Sequence, residues 1–286
     1  MNTTEEGRDS RRIIRVAHSP DSDDAFMFYG LASGEIDTAE LGFEHELQGI
    51  QELNERAMRG ELEVTAVSIH AYAYLTDRYI LLPHGASMGE GYGPRLVSRE
   101  PMDRDAIRSS TVAIPGELTS AYLALKLWEP AVRTVVMPFD AILEAVRDGE
   151  VDVGLIIHEG QLTYADAGLL LLEDLGRWWK EETGLPLPLG GNVIRRDLGA
   201  DLIPRVSDYL RRSIAFSLDH REKAMDYAMG FARGLDRRTA DDFVGMYVNQ
   251  RTLDYGPDGR EAVRLFLARG VEAGLVPGPV DVQFAD

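Results

Sequence analysis

The chain has no cysteine among its 286 residues. This excludes disulfide staples, thiolate metal sites, a cysteine nucleophile and a lipid-modified N-terminal cysteine. Positive charge is scarce as well: 30 lysines and arginines stand against 48 aspartates and glutamates, a net charge of −18. Phosphate backbones and anionic bilayers attract clustered cations, so neither nucleic acid nor a membrane is expected as a partner. No apolar run approaches the ~20 residues that a spanning helix needs, and the polar residues 1–12 contain no apolar signal core. These absences predict a cytoplasmic protein with a disordered tail at 1–12. A His-Glu-x-x-His zinc helix, a Gly-x-Ser-x-Gly elbow and a glycine fingerprint after the first strand are all missing. No metal, nucleotide or redox cofactor is expected.

What is present suffices for a full core: 44% of the residues are hydrophobic. The length suggests two lobes or one large α/β domain. The most informative stretch is Val151-Asp-Val-Gly-Leu-Ile-Ile-His158-Glu-Gly. Its short apolar run reads as a buried parallel strand that ends in a histidine. Ligands of open α/β sheets collect outside the carboxyl ends of such strands, which is where His158 falls.

One plan occurs twice. The strand Ile13–His18, the turn Ser19–Asp24 and a helix from Ala25 to Leu31 are matched by the strand Thr111–Ile114, the turn Pro115–Leu118 and a helix from Thr119 to Trp128. Arg56-Ala-Met-Arg-Gly-Glu-Leu-Glu-Val64 parallels Val146-Arg-Asp-Gly-Glu-Val-Asp-Val153, each a glycine-stopped helix followed by an acidic turn into a strand. Repeated strand–helix units argue for parallel sheets with helices on both faces. Hinges are expected near Leu96–Arg99 and Gly190–Ile194, the second after a proline-rich extended crossing. From Leu202 to Leu275 the apolar spacing is helical, and these helices are expected on the first lobe. The expected layout is lobe 1 at 13–98, lobe 2 at 99–190 and a return to lobe 1 at 191–286, with a ligand cleft between.

Four loops would face that cleft. Ser19-Pro-Asp-Ser-Asp-Asp24 sits at a strand end and a helix start, so Ser19, Asp23 and Asp24 are candidate ligand contacts. Helix capping is an equally open role for them. The acids are too closely spaced, with no downstream ligands, to predict a metal. Ser68 lies between a strand and a helix spanning Ile69–Leu75. Thr119 and Ser120 meet a helix N-terminus, whose free N–H groups favour an anion; two adjacent hydroxyls suit a carboxylate, and a plain cap stays open. His158 titrates near neutrality and can serve as a general base. His18 ends the first strand and could face the same cleft, whereas His70, beside Tyr72 and Tyr74, reads as core. His45 has no supporting context.

These positions carry a family resemblance. Ser19-Pro with Asp24-Ala-Phe26, Val67-Ser68, Gly91-Tyr-Gly-Pro94, Thr119-Ser-Ala-Tyr122, Gly154-Leu-Ile-Ile-His-Glu159, Trp178-Trp179 and Thr183-Gly-Leu-Pro-Leu-Pro-Leu-Gly190 resemble the 1,4-dihydroxy-6-naphthoate synthases of the futalosine route to menaquinone. The resemblance spans most of residues 14–275. It implies a two-lobe fold like type II periplasmic binding proteins, with mixed sheets flanked by helices. It also implies a cofactor-free carbon–carbon lyase that cleaves cyclic dehypoxanthinylfutalosine into 1,4-dihydroxy-6-naphthoate and a three-carbon sugar fragment, dihydroxyacetone. Under it His158 is the general base, Thr119 and Ser120 hold the substrate carboxylate, and Ser68 bonds near the reacting centre. The partner implied is a small carboxylate, and a homodimer is allowed. One loop departs. The family pattern Ser-Pro-Cys-Pro-Asn-Asp-Thr-Phe is here Ser19-Pro-Asp-Ser-Asp-Asp-Ala-Phe26. An acid at Asp23 removes an amide donor and adds charge beside an anionic substrate. A chorismate-dehydratase-like sister enzyme is disfavoured by the His158-Glu159 element and by Trp178-Trp179. A small-carboxylate transport protein is disfavoured by the missing export signal.

Overall fold

The apolar run that begins at Ile13 becomes an interior strand of the first of two sheets in the computed structural model, which describes residues 11–286. The first sheet contains β1 (Arg12–His18), β2 (Leu41–Leu47), β3 (Val64–Ser68), β4 (Tyr79–Leu81) and β5 (Ser87–Gly89). The second contains β6 (Arg95–Ser98), β7 (Thr111–Ile114), β8 (Arg133–Val136), β9 (Val153–Ile156) and β10 (Leu170–Asp174). The chain then returns to the first sheet as β11 (Leu187–Arg195). Between the strands run α1 (Ser22–Ala32), α2 (Ile50–Arg59), α3 (Ile69–Tyr72), α4 (Arg104–Ser109), α5 (Ser120–Trp128), α6 (Phe139–Asp148), α7 (Gly160–Thr163) and α8 (Leu175–Thr183). The C-terminal part supplies α9 (Leu202–Asp219), α10 (Arg221–Ala228), α11 (Arg237–Tyr247), α12 (Gln250–Leu253) and α13 (Gly256–Glu272).

The duplication in the sequence is a duplication of topology. In β1-α1-β2-α2-β3 the first strand lies between the other two, all parallel; β7-α5-β8-α6-β9 repeats the arrangement. The glycine stops are the same device in both copies. Gly60 and Gly149 end α2 and α6 at φ 71° and 83°, a left-handed conformation that glycine adopts without steric cost.

The repeated units are parallel, but each sheet as a whole is mixed, as the resemblance implies. β11 runs antiparallel to β3, and β6 antiparallel to β9. Each of these strands follows a crossing and completes the sheet of its own lobe. Pairing between strands so distant in sequence leaves no local signal. The hinge positions move for the same reason. Leu96–Ser98 pairs within the second sheet and Gly190–Ile194 within the first, so the chain changes sheets at 90–94 and 184–186 rather than at 98/99 and 190/191. The tail boundary also moves, since Arg12 begins β1 and its N–H donates to Glu40 O; residues 1–10 of the expected tail lie outside the described residues.

The crossings are packed, not loose. Trp179 is fully buried, donates through Nε1 to Pro186 O at 3.0 Å and meets Phe266 edge to face. Gly176 lets the backbone of Tyr92 lie directly against α8, where any Cβ would collide with Tyr92 O. Helices α9, α10 and α11 cover α1 on the first sheet, in line with the helical spacing of the sequence. Helix α13 instead touches β11, α3 and α5, so it joins the two lobes. Among the described residues, no helix is long and apolar enough to cross a membrane.

Candidate active site

The carboxyl ends of β3 and β9 and the N-termini of α1, α3 and α5 surround one cleft with about 550 Å³ of empty space, partly open to solvent. A cleft between two lobes lined by a few convergent polar groups is a usual place for a small-molecule ligand. Asp23, Ser68, Thr119, Ser120 and His158, all candidates from the sequence, line it. Ile50, Gln161, Leu189, Phe243 and Tyr247 complete its walls. Among the described residues no lysine or arginine lines it.

His158 follows β9 with φ 53°, a left-handed conformation that is costly for a residue with a Cβ and recurs at functional positions. The bend aims the imidazole across the cleft, where Nδ1 lies 3.1 Å from Asp21 Oδ2. Phe139 packs on the ring at 4.8 Å, and the Arg233 guanidinium lies over Phe139 in turn. Nε2 is buried without a hydrogen-bond partner in the protein. Burial by itself would lower the imidazole pKa, but the charge and hydrogen bond of Asp21, with Glu159 behind, outweigh it and raise the pKa above the ordinary value. Burial would likewise raise Asp21; the charge and hydrogen bond of His158 overcome it and bring the carboxyl to about 2. A carboxylate that holds Nδ1–H leaves Nε2 as the unprotonated nitrogen whenever the ring is neutral.

Asp21 is joined to this site by its contact with His158, and sequence reasoning misses it. Its position is the N-cap of α1, yet its side chain makes no cap hydrogen bond. The capping role open to this loop is displaced by the ion pair to the other lobe. Asp21 stands where the family pattern has cysteine, and that departure is the available signal. Ser19 and Asp24 do not line the cleft. Asp24 Oδ2 accepts the Ser19 N–H at 2.8 Å and closes the loop on itself. Burial first, and the Asp21 charge second, push the Asp24 carboxyl up to about 8 against that hydrogen bond.

The raised Asp24 pKa makes stability depend on pH. The unfolded carboxyl titrates near 4, so between pH 4 and 8 the folded chain holds a proton that the unfolded chain has lost. Stability contributed by Asp24 is full below pH 4 and falls as pH rises through 8. Asp24→Asn keeps the acceptor for Ser19 and removes the titration. Urea unfolding of the two proteins should agree near pH 4 and diverge toward pH 8. There the variant should be the more stable by a few kcal/mol, since each tenfold change in proton affinity is worth about 1.4 kcal/mol. Parallel profiles would mean that Asp24 ionises normally.

The hydroxyls differ from one another. Ser68 accepts from Asn54 Nδ2 at 3.0 Å, and its N–H donates to Asn54 Oδ1 at 2.9 Å. Its own hydroxyl proton remains available to a ligand. Thr119 Oγ1 caps α5, accepting Tyr122 N–H and donating to Gly116 O. Ser120 Oγ donates to Leu189 O at 2.6 Å and accepts the His70 N–H at 3.1 Å. These two hydroxyls are committed to holding the loop and the lobes, so the donors suited to an anion here are the N–H groups of Ser120 and Ala121 at the start of α5, which have no intrahelical acceptor. His70 is buried between Tyr74 and Tyr122, the core role that its sequence setting suggests. His18 does not face the cleft. It stacks on Phe28 at 4.6 Å and its Nε2 meets His45 Nδ1 at 3.2 Å, giving His45 a structural partner. Burial holds both rings neutral, at about 4.

Several contacts cross the cleft. Besides Asp21–His158, Tyr247 OH donates to Gln161 Oε1 at 2.8 Å, and Gln51 Oε1 accepts Leu118 N–H at 3.3 Å. Gly116 makes room for Gln51, whose side chain occupies the space a Cβ would need. The lobes are therefore closed on one another, and closure itself brings carboxylate and imidazole together.

The comparisons agree with this architecture. A 1,4-dihydroxy-6-naphthoate synthase of Streptomyces coelicolor is 41% identical over 283 residues, covering 96% of this chain and 99% of that protein. One of Thermus thermophilus is also 41% identical, over 267 residues, 93% of this chain and 97% of that protein. A crystal structure of an Archaeoglobus fulgidus protein has a TM-score of 0.89 and 46% identity over 92% of this chain and 98% of its own. The alkanesulfonate-binding protein of Xanthomonas axonopodis pv. citri, at 11% identity and TM-score 0.69 over 94% of this chain and 96% of its own, shares the periplasmic-binding-protein fold. The family model described as menaquinone biosynthesis matches residues 14–272. With that match, and with two relatives above 40% identity over nearly their whole length, the chain belongs to the menaquinone biosynthesis family.

Proposed function

We propose that the protein is a cofactor-independent carbon–carbon lyase of menaquinone biosynthesis, converting cyclic dehypoxanthinylfutalosine to 1,4-dihydroxy-6-naphthoate with release of dihydroxyacetone. The observation that carries this reading is the state of His158: Nδ1 is held by an ionised, buried Asp21, while Nε2 lies buried and unpartnered. That is the arrangement of a general base awaiting a substrate proton. A protein that only binds its ligand has no use for a base held in this way.

Each group in the cleft takes a role that its chemistry allows. The substrate carboxylate sits against the first turn of α5, where free N–H groups and the positive end of the helix dipole replace the missing lysine or arginine. Ser68, held by Asn54, donates its hydroxyl proton near the reacting centre. Nε2 of His158 removes a hydroxyl proton, and the resulting imidazolium is stabilised by Asp21. Phe243 and Ile157 keep the cleft walls apolar, Phe139 backs the His158 ring, and together they strengthen these interactions by excluding water. The substrate enters when the lobes part, and closure assembles the base. The cytoplasm is the compartment in keeping with the acidic, cysteine-free composition.

The test is to incubate the purified protein with cyclic dehypoxanthinylfutalosine, no cofactor added, and to follow 1,4-dihydroxy-6-naphthoate by chromatography. Product formation is the expected result. Tight binding of that compound without product would instead indicate a binding protein on the same fold.

A further inference from the structure

Among the described residues, Asp23 is the one carboxyl that lines the cleft. It is 7% exposed and its Oδ1 has no partner. Its surroundings are crowded with acidic groups. Asp21 and Asp24 flank it on α1, Glu159 faces it from beyond β9, and Tyr247 approaches from α11. The nearby cations are His158, already paired with Asp21, and Arg233, whose guanidinium lies over Phe139 and donates to Pro20 O.

Asp21 Oδ1 is also buried and unpartnered, and the Asp21 and Asp23 carboxyls lie within hydrogen-bonding reach of each other. Two ionised carboxylates cannot share such a space. A single proton satisfies the pair, and the His158 contact decides which member carries it. Asp21 stays ionised beside the imidazole, so the proton resides on Asp23, whose pKa burial and then the Asp21 charge drive well above the ordinary range. Set against the family pattern, an acid in place of asparagine is expected to remove a donor and add a charge at this position. In the folded protein a protonated Asp23 does neither.

We propose that Asp23 is the general acid of the reaction, delivering its proton to the oxygen on which negative charge gathers as the carbon–carbon bond breaks. This rests on the lyase reading above. The substrate class it requires is a hydroxyl β to a carbonyl. His158 Nε2 removes the hydroxyl proton, and the O–H electron pair becomes the second bond of a new carbonyl. The carbon–carbon bond breaks, and its electron pair passes through the adjacent carbon to the existing carbonyl, whose oxygen takes the Asp23 proton as an enol forms. His158 ends protonated and Asp23 ionised, with nothing oxidised or reduced. The two exchange protons with water when the lobes open. Asparagine offers a hydrogen bond at this position but no proton, so the substitution converts a donor into an acid.

The experiment pairs kinetics with infrared difference spectroscopy on the wild type and Asp23→Asn. The wild type should show a protonated-carboxyl C=O band at neutral pH that the variant lacks. The variant should lose about 10²-fold in kcat with KM little changed, as for a group acting in the transition state. Asp23→Ser replaces it if the asparagine variant fails to fold. A variant that keeps every protonated-carboxyl band of the wild type, or that has the wild-type kcat, overturns the acid role and leaves the lyase reading intact. A wild type that forms no product overturns both, and is distinguished by the wild-type reaction alone.

Discussion

His158→Ala is expected to lower kcat by roughly 10²–10⁴-fold, the range for loss of a general base, without unfolding the protein. The ring is only partly buried, with 18% of its side chain exposed, and its neighbours Phe139 and Asp21 belong to other elements that remain packed. The variant also relieves a strained φ of 53° only slightly, because alanine keeps the Cβ. Its far-ultraviolet circular dichroism and its unfolding midpoint should therefore stay close to wild type while product formation collapses. Removing the imidazole leaves the Asp21 carboxylate buried without its partner, and Asp21 relaxes by taking up a proton. An unchanged rate would remove His158 from the chemistry.

Asp21→Asn should have the second largest effect, a fall in kcat of roughly 10²–10³-fold, somewhat less than the ~10⁴ known for loss of a carboxylate behind a catalytic histidine. The amide preserves the shape of the contact but neither stabilises an imidazolium nor enforces the tautomer with Nε2 free. The pH profile gives a second readout that a merely structural role would not move. In the wild type the base is active only when unprotonated, so kcat/KM rises with pH through a His158 pKa that Asp21 has raised. Without that carboxylate the desolvation that opposed it prevails, and the pKa drops. The acid limb of the variant should therefore shift to lower pH while the plateau falls. A profile unchanged in both height and midpoint would show that the Asp21–His158 contact is static and unconnected to turnover.

Both variants probe a pair that no local reading of the chain could assemble. The positions of His158, Ser68, Thr119 and Ser120 are legible because each sits where a strand ends or a helix begins, and those boundaries are written in short-range signals: apolar runs, glycine stops, hydroxyls before a helical period. Asp21 occupies a boundary of the same kind. Its local reading is a cap, and that is the interaction its side chain does not make. Asn54 and Gln161 carry no signal, because each is an ordinary residue within a helix until packing sets Asn54 against Ser68 and Gln161 into the cleft wall. The reverse error also occurs. His18 ends a strand as His158 does, but the neighbouring β2 brings His45 to it, and α1 brings Phe28, which together take it out of the site.

The sequence by itself determined the opening strand and helix and the closing helix and strand of each repeated unit, with the residues at their ends, since hydrophobic period and helix capping act over a few residues and do not depend on the rest of the chain. The tertiary structure alone decided which strands complete each sheet, that a carboxylate from one lobe reaches the imidazole of the other, and that Asp23 is buried beside Asp21 and Glu159, which raises its pKa. Those outcomes depend on groups separated by up to 137 positions in the chain, such as Asp21 and His158, and on burial that multiplies the strength of each charge. Neither exists until the lobes have folded and closed.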